Sequence, residues 1–271
     1  MNLIRHQGLS FPGIAPGVNN SHVCGLATNF SAIFIRNGFV NYANSRFAGL
    51  LGTTSGTPAA KIDSVIGPCR DVGTNYSVAF TTPTGSSGPV TMAAIIRTGV
   101  GDDAGIFESD TAASQGAGIL ANYAGRLYFA TDGTDHDSGI ALANSTPYFV
   151  AATWRNDLSL SYTNFIAKNL NNGKINTAAT TSSDLDNVMG TGITIGYNYK
   201  YGAYFPGRIA AVAYTRSFCS LQQLTMWAAD PWGFWYPPPL DMTLDQELLH
   251  GSQSVIASIY ASYGGGMFVL P

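Results

Sequence analysis

The chain contains two glutamates, Glu108 and Glu247, and that scarcity sets the first limit on its chemistry. Glycoside hydrolysis uses two carboxyl groups facing one bond, about 5 to 9.5 Å apart according to mechanism. Glu108-Ser109-Asp110 opens as a Glu-x-Asp-x-Glu strand signature does, but Ala112 and Ala113 stand where the second glutamate belongs. Acid and nucleophile cannot both be supplied there, so Glu108 and Asp110 read as solvated turn residues. Nucleophilic chemistry finds no better footing. There is no Gly-x-Ser-x-Gly elbow, and none of Cys24, Cys69 and Cys219 lies in a motif that pairs it with a histidine. His6, His22, His136 and His250 are isolated from one another, and no ligand-type residues sit at zinc spacing. The expectation is a non-enzymatic protein with no cofactor.

Two segments carry binding chemistry instead. Asp132, Asp135 and Asp137 lie close together in Asp-Gly-Thr-Asp-His-Asp, and hard carboxylate oxygens gathered on a loop suit calcium. The segment departs from the EF-hand pattern, and a hairpin connection rich in Asp and Gly has the same composition for conformational reasons. A turn is the preferred reading and calcium its alternative. Tyr197, Tyr199, Tyr201 and Tyr204 fall in the run YNYKYGAYF. A pyranose face packs on a tyrosine ring as other apolar surfaces do, whereas tyrosine is also favoured at protein contacts where one end stays wet. An interface hairpin is preferred, with carbohydrate stacking as the alternative.

The scaffold that must hold these groups is β-rich. Apolar runs of strand length recur at residues 76–82, 90–97, 118–123, 126–131, 148–154, 158–167, 193–197 and 208–215. Turn clusters separate them, the rhythm of a sandwich with hairpin and Greek-key links. In the last run Ile209, Ala211, Ala213 and Thr215 fall on one face and Ala210, Val212 and Tyr214 on the other, which predicts a strand covered on both sides. Ser220 then fits a helix N-cap with Gln223 completing a capping box. Leu221, Leu224, Trp227 and Ala228 recur at helical spacing before Pro231 stops the helix.

Gly207-Arg208-Ile209, Arg216, Ser220-x-x-Gln223-Leu224 and Asp230-Pro231-Trp232, followed by Phe234 and Trp235, resemble the end of the laminin G-like, concanavalin A-like jelly rolls carried by tailed-phage virion proteins. That pattern usually has Glu at position 223 and Asn at position 230, and both replacements keep the capping chemistry. Pro147-Tyr148-Phe149-Val150-Ala151-Ala152-Thr153-Trp154 is similar to the Tyr-x-Val-Ala-x-Thr-Trp strand of the same fold, and Thr194-Ile195-Gly196 to its Ile-Gly strand. Pro12-Gly13, Pro16-Gly17 and Asn20-Ser21-His22 before Gly25-Leu26 resemble the phage lead-in segment. The resemblance implies an all-β, concanavalin A-like (laminin G-like) jelly-roll sandwich with one short C-terminal helix. It also implies the possibility of a rim calcium site and a place on a virion.

Composition bounds the rest. The chain of 271 residues suits one large sandwich with extensions. Charged residues make up 11% of it, against about 25% in an ordinary soluble domain, which points to a surface covered by neighbours. A net charge of −3, with its cations scattered singly, argues against nucleic acid, and no run is long enough to span a membrane. The opening MNLIRHQGLSFPG lacks an apolar signal core. The organisation expected is an N-terminal arm at 1–45, a sandwich at 46–236 and a C-terminal arm at 237–271, introduced by Pro237, Pro238 and Pro239. Phe11, Pro12, Leu244, Leu248, Ile256, Tyr260, Met267 and Phe268 are the candidate partner-binding residues of the arms. The sequence reading is a structural virion protein made in the host cytoplasm, a decoration or cement protein on the capsid surface. Its expected partners are the major capsid protein and further copies of itself. A carbohydrate-binding module of a tail fibre or adsorption apparatus, with a glycan partner, is the rival.

Overall fold

The computed structural model describes residues 28–35, 38–41, 50–51, 53–56, 60–73, 76–80, 88–100, 104–109, 118–131, 134–157, 159–183, 192–199 and 202–235. The arm residues Phe11, Pro12, Leu244, Leu248, Ile256, Tyr260, Met267 and Phe268 lie outside them, as do Asp110, Asp132, Tyr201 and Glu247.

Nineteen strands are described. They are β1 (Thr28–Ile35), β2 (Gly38–Asn41), β3 (Leu50–Leu51), β4 (Thr53–Ser55), β5 (Ala60–Asp63), β6 (Gly67–Asp71), β7 (Ser77–Phe80), β8 (Val90–Arg97), β9 (Ala104–Glu108) and β10 (Ile119–Tyr123). There follow β11 (Arg126–Ala130), β12 (Asp135–Ala141), β13 (Pro147–Asp157), β14 (Leu160–Asn169), β15 (Ile175–Ser182), β16 (Ile193–Ile195), β17 (Tyr197–Asn198), β18 (Ala203–Tyr204) and β19 (Arg208–Thr215). Helix α1 (Leu221–Ala229) and a 3-10 turn at Pro231–Phe234 complete the described chain.

The strands form an all-β jelly-roll sandwich of two antiparallel sheets. The larger runs β15-β14-β13-β8-β19-β1-β2-β3, with the β5–β6 hairpin attached to β19; the smaller runs β12-β11-β10-β9-β16-β7-β4. β1 pairs with β19 from Thr28↔Thr215 to Ile33↔Ala211, so the larger sheet includes residues on the arm side of the expected boundary at 45/46. Only one short apolar run at 32–35 marked this strand in the sequence. Its pairing is supplied by a strand some 180 residues later, a relation that local pattern does not carry.

Between the sheets, Val78, Met92, Phe107, Leu120, Phe129, Val150, Trp154, Phe165, Ile195 and Val212 are all fully buried in one core. A second core covers the other face of the larger sheet. Ala93, Ala151, Ala210, Ala211 and Ala213 make a shallow floor, and Leu224, Trp227, Trp232, Phe234 and Trp235 lie on it. Small side chains on the strands let Trp227 of α1 and the indoles of Trp232 and Trp235 after it approach the sheet closely. Trp227 stacks on Phe234 with centroids 4.5 Å apart and tilts against Phe149 at 5.5 Å.

β19 is buried on both faces, as its composition requires, but not in strict alternation. Its register against β8 shifts between Ile209 and Ala211. Ile209 therefore joins Val212 and Tyr214 in the inter-sheet core, while Ala210, Ala211 and Ala213 face the helix. A bulge inserts one residue and resets which face follows, so the face assignment from period 2 holds only beyond it.

The helix forms where its caps place it. Gln223 N donates to Ser220 Oγ at 3.3 Å and Ser220 N donates to Gln223 Oε1 at 2.8 Å, a complete capping box. Asp230 Oδ1 then accepts from Gly233 N at 3.2 Å and starts the 3-10 turn. Gln223 and Asp230 thus both cap through side-chain hydrogen bonds. Among the described residues no helix is long and apolar enough to cross a membrane.

One ion network ties the β5–β6 hairpin to the larger sheet. Asp63 is 4% exposed. Its carboxylate accepts from Arg97 Nε at 2.5 Å, Arg97 Nη2 at 2.7 Å and Arg208 Nη1 at 2.9 Å. The amides of Val65 and Ile66 donate to it as well, at 2.9 and 3.2 Å. Arg97 and Arg208 are cross-strand partners in the sheet, so without Asp63 two guanidiniums would face each other with only Asp71, 4.0 Å from Arg208 Nε, to offset them. Burial alone would raise the Asp63 carboxyl; the hydrogen bonds from Arg97, Val65 and Ile66 outweigh it and hold the group far below the usual carboxylate range. Nearby, burial pushes the Cys69 thiol up to about 11, which removes it from thiolate chemistry at neutral pH.

Candidate functional site

β9 is where the smaller sheet turns chemistry outward. Its register against β10 shifts at Leu120/Ala121, so that Ile106 and Phe107 both enter the inter-sheet core. Gly105 and Glu108 are left on the opposite face. Glu108 is 1% exposed, beside its cross-strand partner Thr194, and its Oε2 accepts from Tyr199 N at 3.1 Å. The sequence expectation of a solvated turn residue is therefore corrected. Glu108 ends a strand, and the bulge beside it, invisible to period counting, directs it under the tyrosine segment.

That segment is a two-stranded ribbon, β17 paired with β18 through Tyr197↔Tyr204 and Asn198↔Ala203. Gly196, at φ +83°, makes the bend that leads into it, its N–H donating to Ile106 O at 2.8 Å and its carbonyl accepting from Phe205 N at 3.0 Å. At the ribbon's base a methyl group on Gly105 would lie 2.5 Å from Asn198 Cβ, so only glycine allows the ribbon to lie this close to β9. Tyr197 meets Tyr199 edge-on with centroids 5.0 Å apart and tilts on Tyr204 at 4.6 Å. All three rings are half-buried, whereas Phe205 is fully buried in the inter-sheet core. The hairpin expected from YNYKYGAYF is present, and its anchors Glu108 and Gly105 come from a strand about ninety residues earlier.

Of the acidic segment expected as a turn, Asp135, His136 and Asp137 lie in strand β12. Asp135 is exposed, His136 is 4% exposed against Phe129, and Asp137 faces outward. Asp137 Oδ1 accepts from Gly139 N at 2.7 Å and Oδ2 pairs with Arg126 Nη1 at 2.9 Å. Among the described residues no group of three or more His, Cys, Asp and Glu is placed to hold a metal. Tyr123 and Tyr128, neither of them a site residue expected from the sequence, share this outer face with Asp137, their rings 5.2 Å apart and edge-on. Along β11 Tyr128 lies on the face opposite the buried Leu127 and Phe129. Only the pairing of β10, β11 and β12 sets it beside Tyr123 and Asp137.

No protein-family model matches the sequence, and no curated protein matches it by sequence. Solved structures do match by shape. Domain 4 of AbnA, a GH43 extracellular arabinanase from Geobacillus stearothermophilus solved in complex with arabinotriose, superposes with a TM-score of 0.54 at 13% identity, covering 74% of this chain and 98% of that one. The receptor binding domain of botulinum neurotoxin mosaic serotype C/D gives 0.50 at 13% identity over 76% of this chain; the match spans 51% of the toxin chain, about half its length. These likenesses define the class of architecture, a β-sandwich jelly roll. At such identities they speak to the fold alone.

Proposed function

We propose that the sandwich is a non-catalytic recognition module whose tyrosine ribbon contacts glycan. The observation that carries this reading is the anchoring of Tyr199 on buried Glu108, which holds three half-exposed rings in one rigid cluster. Glu108 supports the non-enzymatic part as well, since its carboxylate lies beneath the ribbon with 1% of the residue exposed. The arabinotriose complex of the similar arabinanase domain makes arabinan fragments the first probes to try. On a glycan array followed by calorimetry, Tyr199→Ala is expected to weaken binding about tenfold or more, the scale of one lost aromatic contact. Gly105→Ala, which keeps every tyrosine but displaces the ribbon, is expected to do the same. Equal affinity in parent and both variants would remove the ribbon from the site.

A second reading concerns where the module works. The end-of-domain motif shared with tailed-phage jelly rolls keeps each of its structural roles, in β19, the Ser220–Gln223 box and the Asp230 cap. Together with a chain only 11% charged, this favours a capsid decoration or cement protein fastened by its terminal arms to the major capsid protein and to copies of itself. Tethering through two arms raises effective concentration, so weak contacts at each suffice. Limited proteolysis tests it: cleavage within 1–27 and 237–271 is expected in the free protein and protection in assembled particles. Equal cleavage in both states counts against the virion role.

A further inference from the structure

We propose that Tyr123, Arg126, Tyr128 and Asp137 form a second subsite on the outer face of the smaller sheet, one that takes adjacent hydroxyls of a neutral sugar. The inference rests on the recognition reading and adds residues that the ribbon does not include.

The four side chains come from three adjacent strands and share one face. Tyr123 pairs across β10–β11 with Arg126, Ala121 with Tyr128, and Tyr128 across β11–β12 with Asp137. Ala121 and Ala130, both buried, form the floor on which Tyr128 packs. Small residues there leave the tyrosine rings as the raised features of the face.

The polar pair beside the rings is held in place and retains spare capacity. Arg126 Nη1 donates to Asp137 Oδ2 at 2.9 Å and Gly139 N donates to Oδ1 at 2.7 Å. A carboxylate has about four acceptor positions and a guanidinium five donors. At least one acceptor and several donors are therefore free to meet a ligand. The Arg126 side chain is 53% exposed and that of Asp137 33%, so both are within reach of solvent. Burial acts to raise the Asp137 carboxyl, but the Gly139, Tyr128 and Arg126 contacts prevail and keep it ionised at neutral pH. Burial, then the bond to Asp137, raises the Tyr128 phenol, which keeps its proton.

Neighbouring hydroxyls of a pyranose or furanose match this arrangement. One donates to Asp137, the next accepts from Arg126, and the apolar ring face lies on tyrosine. A net anionic sugar fits less well, because Arg126 is already neutralised by Asp137 and, among the described residues, no second cation joins it in this cluster.

The test is an NMR titration of the 15N-labelled full chain with arabinotriose, galactose, mannose and glucose. A sugar that binds is expected to move the Gly139 amide, and Arg126→Ala and Asp137→Asn are each expected to weaken it about tenfold or more. Tyr123→Leu reports on the same subsite without touching the ion pair. All three positions are at the surface, and an unchanged thermal midpoint serves as the folding control. Binding that survives Arg126→Ala, Asp137→Asn and Tyr123→Leu but is lost in Tyr199→Ala overturns the subsite and leaves the ribbon standing. If none of the sugars shifts any resonance, the subsite and the recognition reading fall together.

Discussion

Asp63→Ala is expected to lower the free energy of unfolding by about 3 kcal/mol, the lower end of the range for removing one partner from a buried ion pair. The lower end applies because the guanidiniums keep some contact with water, the Arg97 side chain being 20% exposed and that of Arg208 31%, against 2% for Asp63. The loss comes from what is left behind. Arg97 and Arg208 face each other across paired strands, and the amides of Val65 and Ile66 lose their acceptor. Urea unfolding measures it as a lower midpoint at unchanged slope, and hydrogen exchange at Val65 and Ile66 is expected to accelerate. A change below about 1 kcal/mol would reclassify the network as an ordinary surface ion pair. The pH dependence has a definite sign. The folded carboxyl lies below its ordinary value of 3.8. Its contribution is therefore complete above that value and is lost as pH falls from there toward the depressed folded value. The parent protein should lose stability over that acid window, and Asp63→Ala should lose less.

The second large effect belongs to the layer outside the larger sheet. Trp227→Ala is expected to cost about 3 to 5 kcal/mol, as for other fully buried large aromatics. Trp227 is 0% exposed and central: it stacks on Phe234, tilts against Phe149 and lies 6.1 Å from Trp235. The alanines beneath it cannot grow to fill the space, so a cavity persists. Near-UV circular dichroism should lose intensity while the far-UV β signal remains. A midpoint shift worth less than about 1 kcal/mol would mean that α1 docks by its caps alone, and that result would falsify the packing account.

What the sequence made legible follows from how local each signal is. β8 runs over 90–97 and β19 over 208–215, as their apolar runs predict, because both are central strands buried on two faces. Helix α1 was readable because Ser220, Gln223 and Pro231 are local stop and start signals. β15, INTAATTS, was passed over: it is an edge strand whose residues alternate between exposed and half-buried, so it carries no hydrophobic stripe. β12 was hidden in the same way by its polar sequence DHDSGIA. The tyrosine ribbon announced itself by composition, but its anchor did not, since the link from Glu108 to Tyr199 spans 91 positions and depends on a bulge. Asp63 meets Arg97 and Arg208 at separations of 34 and 145. In a chain so poor in charge, the rarity of such residues at strand ends was the one available hint.

The position of β19 in the larger sheet has a consequence for how the molecule comes into being. This strand joins β8 to β1 and also receives β6, yet every partner precedes it in the chain, Thr28 by 187 positions. During synthesis the β15-β14-β13-β8 part, the β1-β2-β3 part and the β5–β6 hairpin stay unjoined until residues 208–215 have left the ribosome. Contacts of such long sequence separation make acquisition of the native state slow, in the millisecond-to-second class of all-β proteins. Truncation ahead of Arg208 would therefore leave these three pieces with exposed edges, and a nascent chain stalled there is the species a chaperone would meet.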